Sequence, residues 1–284
     1  MKHVSIIIIN LNGKRYTKNC LNSIKKNTSY KNYNVILVDN GSNDGTQEMI
    51  KSKYNWVDII ENKNNEGFSK ANNSGIKYAI KNFNSDYFYL LNNDTLVEKN
   101  WLNEAVKTSE KYGYVGIVGS KQFTFEKKPA ISAGWINAFG VKYYWGNKEK
   151  EVGWVSGAGF LVKKEAIKKV GLLDEMYSPI YYEESDWEKR MIKKGFKIIH
   201  SPKSIFFHKG GEDSKKEKRI NFNLVFYKNR ARFFSKYLLL GFILRFLTDS
   251  FRARKKIYFK DLFNAYKEGY LNRKKVKIEF PYKN

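Results

Sequence analysis

Hydrophobic and polar positions in the first half of the chain alternate between two periods. VSIIII, at 4–9, is a β-branched run closed by Asn-Leu-Asn-Gly, the pattern of a strand covered on both faces. A helical pattern follows to about residue 27, and YNVILVD at 33–39 reads as a second such strand, ending in the turn NGSNDG. A helix at 45–53, a strand at 56–60, a helix at 68–82 and a strand at 86–91 continue the alternation. A helix at 98–112 and the strand YVGIVGS at 114–120 fit the same plan. Strands each followed by a helix predict an α/β fold with a doubly wound, mostly parallel sheet and right-handed crossovers.

The pattern changes after residue 120. Residues 121–153 are aromatic and Gly-rich with little periodicity, which predicts irregular strands and a loop, and GWVSGAGFLV at 153–162 reads as one strand with close backbone approach at its glycines. A short helix from Lys163, a helix at about 184–194 and two strands, KIIHS and SIFFH, complete this part. Beyond His208 the sequence is helical and rich in Lys and Arg, so the expected organisation is an α/β domain at 1–212 and a basic, aromatic helical extension at 213–284.

Composition adds a core and an asymmetric charge. With 42% hydrophobic and 16% aromatic residues and four prolines, the 284-residue chain has the material for packed layers. Its net charge is +25, and residues 203–284 hold 22 Lys/Arg against 7 Asp/Glu, a surplus of 15. Such asymmetry points to nucleic acid, an acidic lipid surface or a phosphorylated substrate, or else to a solvated Lys-rich surface. Cys20 is the only cysteine, so no intrachain disulfide forms and a reducing compartment is expected. It sits in the helical pattern YTKNCLNSI, as a small core residue rather than a nucleophile. The N-terminal run is too short for a signal peptide or a membrane span, and YLLLGFILRFL is broken by Arg245.

The unusual polar residues fall at successive strand ends: Asn10 and Asn12, then Asp39, Asn40, Gly41 and Ser42, then Asn65 and Gly67, then Asn92 and Asp94. In a parallel sheet that edge gathers loops and helix N-termini, so the series predicts a pocket for a polar ligand. Asp39 is either a turn former or an acceptor for a base N–H or ribose hydroxyls. Asp94 is either an early helix cap or, with the Asn92 amide, a ligand of Mg²⁺ or Mn²⁺ shared with a diphosphate. His208 ends an apolar strand as a structural histidine or as a further ligand, and imidazole would favour Mn²⁺. Glu183, Glu184 and Asp186 crowd a helix start, where the macrodipole favours negative charge. Asp186 can pair with Arg190 at i, i+4, which leaves acids crowded among Tyr181, Tyr182 and Trp187 with raised proton affinity, suited to a general base.

Six spaced blocks, VSIIIINLNGKR, VILVDNGSNDGT, NNEGFSKANNSGI, YFYLLNNDTLVEKNWL, VSGAGFLVKKEAI and GLLDEMYSPIYYEESDWEKRMIKKGFKIIHSPKSIFFHKGG, resemble glycosyltransferase family 2, especially its rhamnosyltransferase-like branch. The resemblance covers about residues 3–212. It implies a GT-A fold and an inverting, Mn²⁺- or Mg²⁺-dependent transfer from a nucleotide-diphosphate sugar, dTDP-rhamnose or a UDP-sugar, to a hydroxyl of a saccharide or lipid-linked saccharide in surface polysaccharide synthesis. It puts Asn10, Asn12, Asp39, Asn40, Ser42, Asn65, Gly67, Phe68, Asn72, Asn92 and Asn93 on the donor-nucleotide side. Asp94 and His208 fall at the metal, Glu184 at the base with Glu183 beside it and Asp186 as fallback, and Trp154, Ser156, Gly157 and Ala158 on the acceptor or sugar side. The chain departs from the family pattern in three places. Asn10-Leu11-Asn12 replaces the usual Thr-Tyr-Asn, Glu184 replaces the commoner aspartate, and Gly153 stands where many relatives carry an acid.

The extension mixes aromatics, leucines and arginines in RARFFSKYLLLGFILRF. It is expected either to lie on an anionic membrane, which would make the protein peripheral on the inner face of the cell membrane, or to pack on the catalytic domain or a second subunit as a homodimer. Two other classes compete. A nucleotidyltransferase would carry a Gly-rich, Arg-containing phosphate loop that NLNGKRYTK does not match well. A non-enzymatic nucleic-acid binder is motivated by the +25 charge and the 40 Tyr and Phe, although charge alone is generic and the polar strand ends need no nucleic acid to explain them.

Overall fold

The computed structural model describes residues 1–210, 221–253 and 258–274. The expected division at 212 lies outside the described residues. The first half forms β1 (Val4–Asn10), α1 (Lys14–Asn27), β2 (Tyr33–Asp39), α2 (Thr46–Lys53), β3 (Val57–Glu61), α3 (Phe68–Phe83) and β4 (Tyr87–Asn92). β1 pairs in parallel with both β2 and β4, in a register that sets Asn10 beside Asp39 and Ile9 beside Asn92. That register brings the polar strand ends together at one edge.

After β4 the chain departs from simple alternation. It turns through Asn93 and Asp94 into β5 (Thr95–Val97) before α4 (Trp101–Lys111) and β6 (Val115–Phe123). The segment expected to be irregular forms β7 (Ala133–Asn137), β8 (Gly140–Tyr143) and β9 (Lys150–Val152). The single strand expected at 153–162 is two, β10 (Trp154–Val155) and β11 (Gly159–Lys163), because the chain changes sheets across Ser156, Gly157 and Ala158. Then come α5 (Lys164–Val170), α6 (Glu183–Lys193) and β12 (Lys197–His208), in which the two expected strands are one with a register shift between Ser201 and Ile205.

The main sheet runs β3-β2-β1-β4-β11-β6-β12-β5, and β10-β7-β8 form a smaller one. β11 is inserted antiparallel between β4 and β6, so β6 does not continue directly from β4 as the alternation predicts. The sheet is still mostly parallel, with helices on both faces. Cys20, Leu21, Ile24 and Trp101 of α1 and α4 cover one face, and Ala71, Ile76, Ile167 and Trp187 of α3, α5 and α6 the other.

The extension contributes α7 (Phe222–Tyr237), α8 (Leu239–Ala253) and α9 (Phe259–Asn272). α7 packs on the chain between α5 and α6: Asn229, Arg232, Phe233 and Phe234 are buried, and Arg232 pairs with buried Asp174 at 2.8 Å. Among the described residues no helix is long and apolar enough to cross a membrane.

Candidate active site

Asn10 ties the strand ends together. Its Nδ2 donates to Asp39 Oδ1 at 2.9 Å, Ser42 Oγ at 2.9 Å and Thr46 Oγ1 at 3.2 Å. Its Oδ1 accepts from Gly13 N at 3.1 Å, Thr17 Oγ1 at 2.8 Å and Asn93 Nδ2 at 2.8 Å. Gly13 is required by this crowding, since a Cβ there would lie 2.3 Å from Asn93 Nδ2. Asp39, fully buried, accepts from Asn10, from Ser42 N and Oγ, and from Gln47 Nε2 at 2.7 Å. Four donors meet the capacity of a carboxylate, so in this conformation Asp39 organises the turn, and a ribose hydroxyl would reach Oδ2 by displacing Gln47.

The neighbouring candidates have similar local roles. Asn12, at φ 50°, accepts from Asn43 N at 2.8 Å and its own N–H donates to Ser42 Oγ at 2.9 Å. Asn40 donates to Asn65 Oδ1 at 2.8 Å and accepts from Asn62 and Glu66 N, while Asn65 Oδ1 also accepts from Gly67 N at 3.0 Å. Asn72 is buried and donates to Phe68 O at 3.1 Å.

Farther along the same edge a cleft of about 360 Å³ opens, a volume in the range of small-ligand sites. Its lining joins Phe68 and Asn92, then Trp154, Ser156, Gly157 and Ala158 from the sheet-changing turn, and Glu183, Glu184 and His208. These five sequence-distant segments therefore meet at one cavity. Glu184 and Glu183 open α6 directly after Tyr181 and Tyr182, which hold the left-handed φ values of 84° and 71°. Trp154 Nε1 donates to Glu184 Oε1 at 3.4 Å. Burial pushes the Glu184 carboxyl above its ordinary value against hydrogen bonds that lower it. Burial, with the Glu184 charge adding, pushes Glu183 well above its own, and Glu183 Oε2 has no partner. Helix position favours the carboxylate forms and burial opposes them; burial wins.

Asp186 has a different role from the fallback base expected from sequence. It is fully buried, absent from the cleft lining, and accepts from Arg190 Nε at 2.8 Å, Lys236 Nζ at 2.6 Å, Tyr237 Oη at 2.8 Å and Tyr177 Oη at 3.3 Å. Burial alone would raise its proton affinity, but Arg190 and Lys236 outweigh that and hold its carboxyl below the ordinary range. It fastens α6 to α7. Asn229 of α7 does the same for the preceding turn, donating to the carbonyls of Tyr177 at 2.7 Å, Ile180 at 2.9 Å and Tyr181 at 3.2 Å.

Asp94 caps no helix: the residue before α4 is Asn100, and Asp94 Oδ1 lies 3.0 Å from His208 Nε2. Asn92 Nδ2 is 3.5 Å from the same nitrogen. Gln122 Nε2 lies 3.1 Å from His208 Nδ1, while Gln122 Oε1 is buried without a partner. Turning that amide over would let Oε1 accept an Nδ1–H, leaving the Nε2 lone pair toward Asp94. The oxygen and nitrogen then have the spacing of adjacent ligands on a cation with bonds of roughly 2.1 Å. The pair fits a divalent ion on this ground, and among the described residues no third His, Cys, Asp or Glu joins it. Cys20 is no candidate, since burial pushes its thiol up to about 12.

Sequence reasoning missed Gln122, Glu188 and Asn229. Glu188 is buried, accepts from Val155 N at 2.9 Å and is driven well above its ordinary proton affinity by burial and Glu184. Its i, i+4 spacing from Glu184 was a usable signal. Gln122 and Asn229 lie far from their partners in sequence and gave none.

The model for "Glycosyl transferase family 2" matches residues 5–171, more than half of the chain. The chain belongs to glycosyl transferase family 2. It is 24% identical over 224 residues to Glycosyltransferase AglE of Haloferax volcanii, covering 76% of this chain and 71% of the relative. It is 25% identical over 202 residues to N-acetylglucosaminyl-diphospho-decaprenol L-rhamnosyltransferase of Mycobacterium tuberculosis, covering 61% of this chain and 66% of that protein. A solved structure of GalNAc-T7 with UDP, GalNAc and Mn²⁺ superposes with a TM-score of 0.71 at 17% identity, over 94% of this chain and 54% of that one. That likeness bears on the fold, which is the GT-A arrangement of this glycosyltransferase.

Proposed function

We propose that the chain transfers a sugar, with inversion, from a nucleotide-diphosphate donor to a hydroxyl of a saccharide or lipid-linked saccharide. The observation that carries the reading is the meeting of Glu184, its proton affinity raised by burial, with His208 in one cleft, and the His208–Asp94 contact beside it. In this reading Glu184 takes the proton of the acceptor hydroxyl as its oxygen attacks the anomeric carbon. The bond from that carbon to the donor diphosphate breaks with its electron pair leaving on the diphosphate. Trp154 holds Glu184 through its indole N–H, and Ser156, Gly157 and Ala158 border the acceptor. Asp94 and His208 would hold Mn²⁺ or Mg²⁺, which supplies positive charge to the leaving diphosphate when bound. Asn92 and Phe68 flank the donor side. The Asn10 and Asn40 networks act as the rigid frame of the nucleotide pocket.

Of the donors the family resemblance implies, dTDP-rhamnose or a UDP-sugar, a rhamnosyl donor is the one the rhamnosyltransferase relative favours, since that protein's name specifies an L-rhamnosyl transfer. Glu184→Gln tests the base: donor affinity is retained and turnover falls by at least about 10²-fold. Unchanged turnover removes Glu184 from the mechanism. Thermal shift with a panel of sugar nucleotides, with and without Mn²⁺, identifies the donor, because a ligand of the folded state raises the melting point.

A further inference from the structure

Two apolar stripes remain exposed beside the mouth of the cleft. Along the β7–β8 hairpin, Phe139 of the turn is 80% exposed and Trp145, just past β8, 57%, with Val141 and Tyr143 of β8 between them. The intervening Tyr144 turns the other way, against Trp135 and His200. Along α8, Leu239, Ile243 and Leu247, spaced by four, are each more than half exposed. Phe242 and Phe246 of the same helix turn inward onto Tyr266.

The stripes adjoin one another. A Cβ on Gly140 would lie 2.7 Å from Arg245 Nη2, and one on Gly241 3.0 Å from Ala138 Cα, so the hairpin and α8 are in contact. α9 continues the surface, since the 61%-exposed Phe259 packs beside Phe246. Val141 and Tyr143 also line the cleft with Glu184 and His208, so the apolar surface runs up to the candidate site. An exposed patch of this extent marks a binding surface.

Charge selects the occupant. Residues 140–143, 239–253 and 258–274, which make up these elements, hold seven Lys/Arg against three Asp/Glu. One of those acids, Asp249, is buried against Arg230 and Tyr266. A second copy would bring the same positive surplus against this one, whereas anionic headgroups complement it while their acyl region takes the apolar side chains. We propose that β8, α8 and α9 form one docking face for an anionic lipid bilayer, with the mouth of the cleft at headgroup level. This rests on the transferase reading only for its consequence, that an acceptor saccharide on a lipid is presented to Glu184.

Cosedimentation of the full chain with vesicles of phosphatidylcholine, alone and mixed with phosphatidylglycerol, tests the face. Binding is expected to the mixed vesicles, to weaken with salt, and to fall at least about tenfold in Ile243→Asp with Leu247→Asp and, separately, in Phe139→Asp. Melting curves accompany both variants; should the α8 variant not fold, the hairpin variant decides, as Phe139 supports no packing. Donor hydrolysis without acceptor, read on the same samples, is expected to be unchanged, so loss of docking is distinguished from loss of the enzyme. Failure to bind either vesicle, or binding unaffected by both variants, overturns the proposal. So does a concentration-dependent dimer, seen by sedimentation velocity, that these substitutions abolish.

Discussion

Asn229→Ala removes one buried amide from α7, about 50 residues downstream of the turn it holds. The Nδ2 group has two hydrogens for three carbonyls, of Tyr177, Ile180 and Tyr181, so the clamp amounts to about two full hydrogen bonds, roughly 2 kcal/mol net. It holds Tyr181 and Tyr182 at left-handed φ, where a side chain with a Cβ costs about 1–2 kcal/mol per residue. The remaining restraint is aromatic: Tyr182 packs on Phe233, Phe226 and Phe234 at ring separations of 5.4, 5.7 and 6.5 Å and Tyr181 on Phe226 at 5.5 Å, contacts of about 0.5–1.5 kcal/mol each. Clamp and packing together exceed the strain, whereas packing alone about balances it.

Losing about 2 kcal/mol shifts such an equilibrium by roughly 30-fold, and the relaxed turn carries Glu183 and Glu184 with it. The expected result is a melting point lower by about 4–8 °C and a fall in kcat of several-fold or more, with the KM for donor little changed. Steady-state assay of nucleotide release with acceptor varied, beside a circular-dichroism melt, measures both. A lowered melting point with unaltered kcat refutes the reasoning, because α7 would then support the fold without positioning the base.

Three further outcomes are expected. Gln122→Leu lowers affinity for Mn²⁺ by about 10–100-fold in a metal titration by electron paramagnetic resonance, since nothing then fixes the His208 ring; equal affinity refutes this role. Asp186→Asn takes the carboxylate partner from Arg190 and leaves Lys236 only its longer contact with Asp174 at 3.8 Å, and costs about 3 kcal/mol in denaturant unfolding at neutral pH. Because the folded carboxyl lies below its ordinary 3.8, the wild-type advantage is full above that pH and shrinks as pH falls through the folded value; a constant difference throughout would contradict the pairing. The acidic limb of kcat/KM lies above 4.5, the ordinary Glu value, because activity needs the charged form of a group that burial keeps protonated; a limb at or below 4.5 excludes Glu184 as the titrating base.

The parallel half of the fold was legible because β1, β2 and β4 are short apolar strands buried on both faces, and β1, β2 and β3 are each followed by a helix. The inserted β11 was not, since an apolar strand reads alike whether it runs parallel or antiparallel between its neighbours. The break at Ser156, Gly157 and Ala158 was likewise hidden, as small residues suit a strand with close neighbours as well as a crossing between sheets. For the site, strand-end position singled out Asn92, Asp94 and His208, and the acidic start of a helix singled out Glu184; register and topology bring them to one edge. Position in the sequence did not distinguish residues facing the cleft from those building its frame, and Asp39, Asn10 and Asp186 proved to have their hydrogen-bonding capacity filled by the protein.

Asn92 and Asn93 show why that distinction needs three dimensions. Adjacent at the end of β4, they point to opposite sides: Asn92 toward His208 and the cleft, Asn93 toward Asn10 and Thr17. The inner network has a direction. Asn93 donates to the Asn10 carbonyl, and the Asn10 amide donates to Asp39, so every acceptor faces a donor. An aspartate at 93 would set its oxygens against Asn10 Oδ1 and reverse one link beside a buried carboxylate, at a cost of about 1–3 kcal/mol for the unsatisfied pair. Asparagine there is thus required by the frame. It also leaves Asp94 as the single charge of the turn, so that His208, held by Gln122, is the side chain that completes the pair at the cleft.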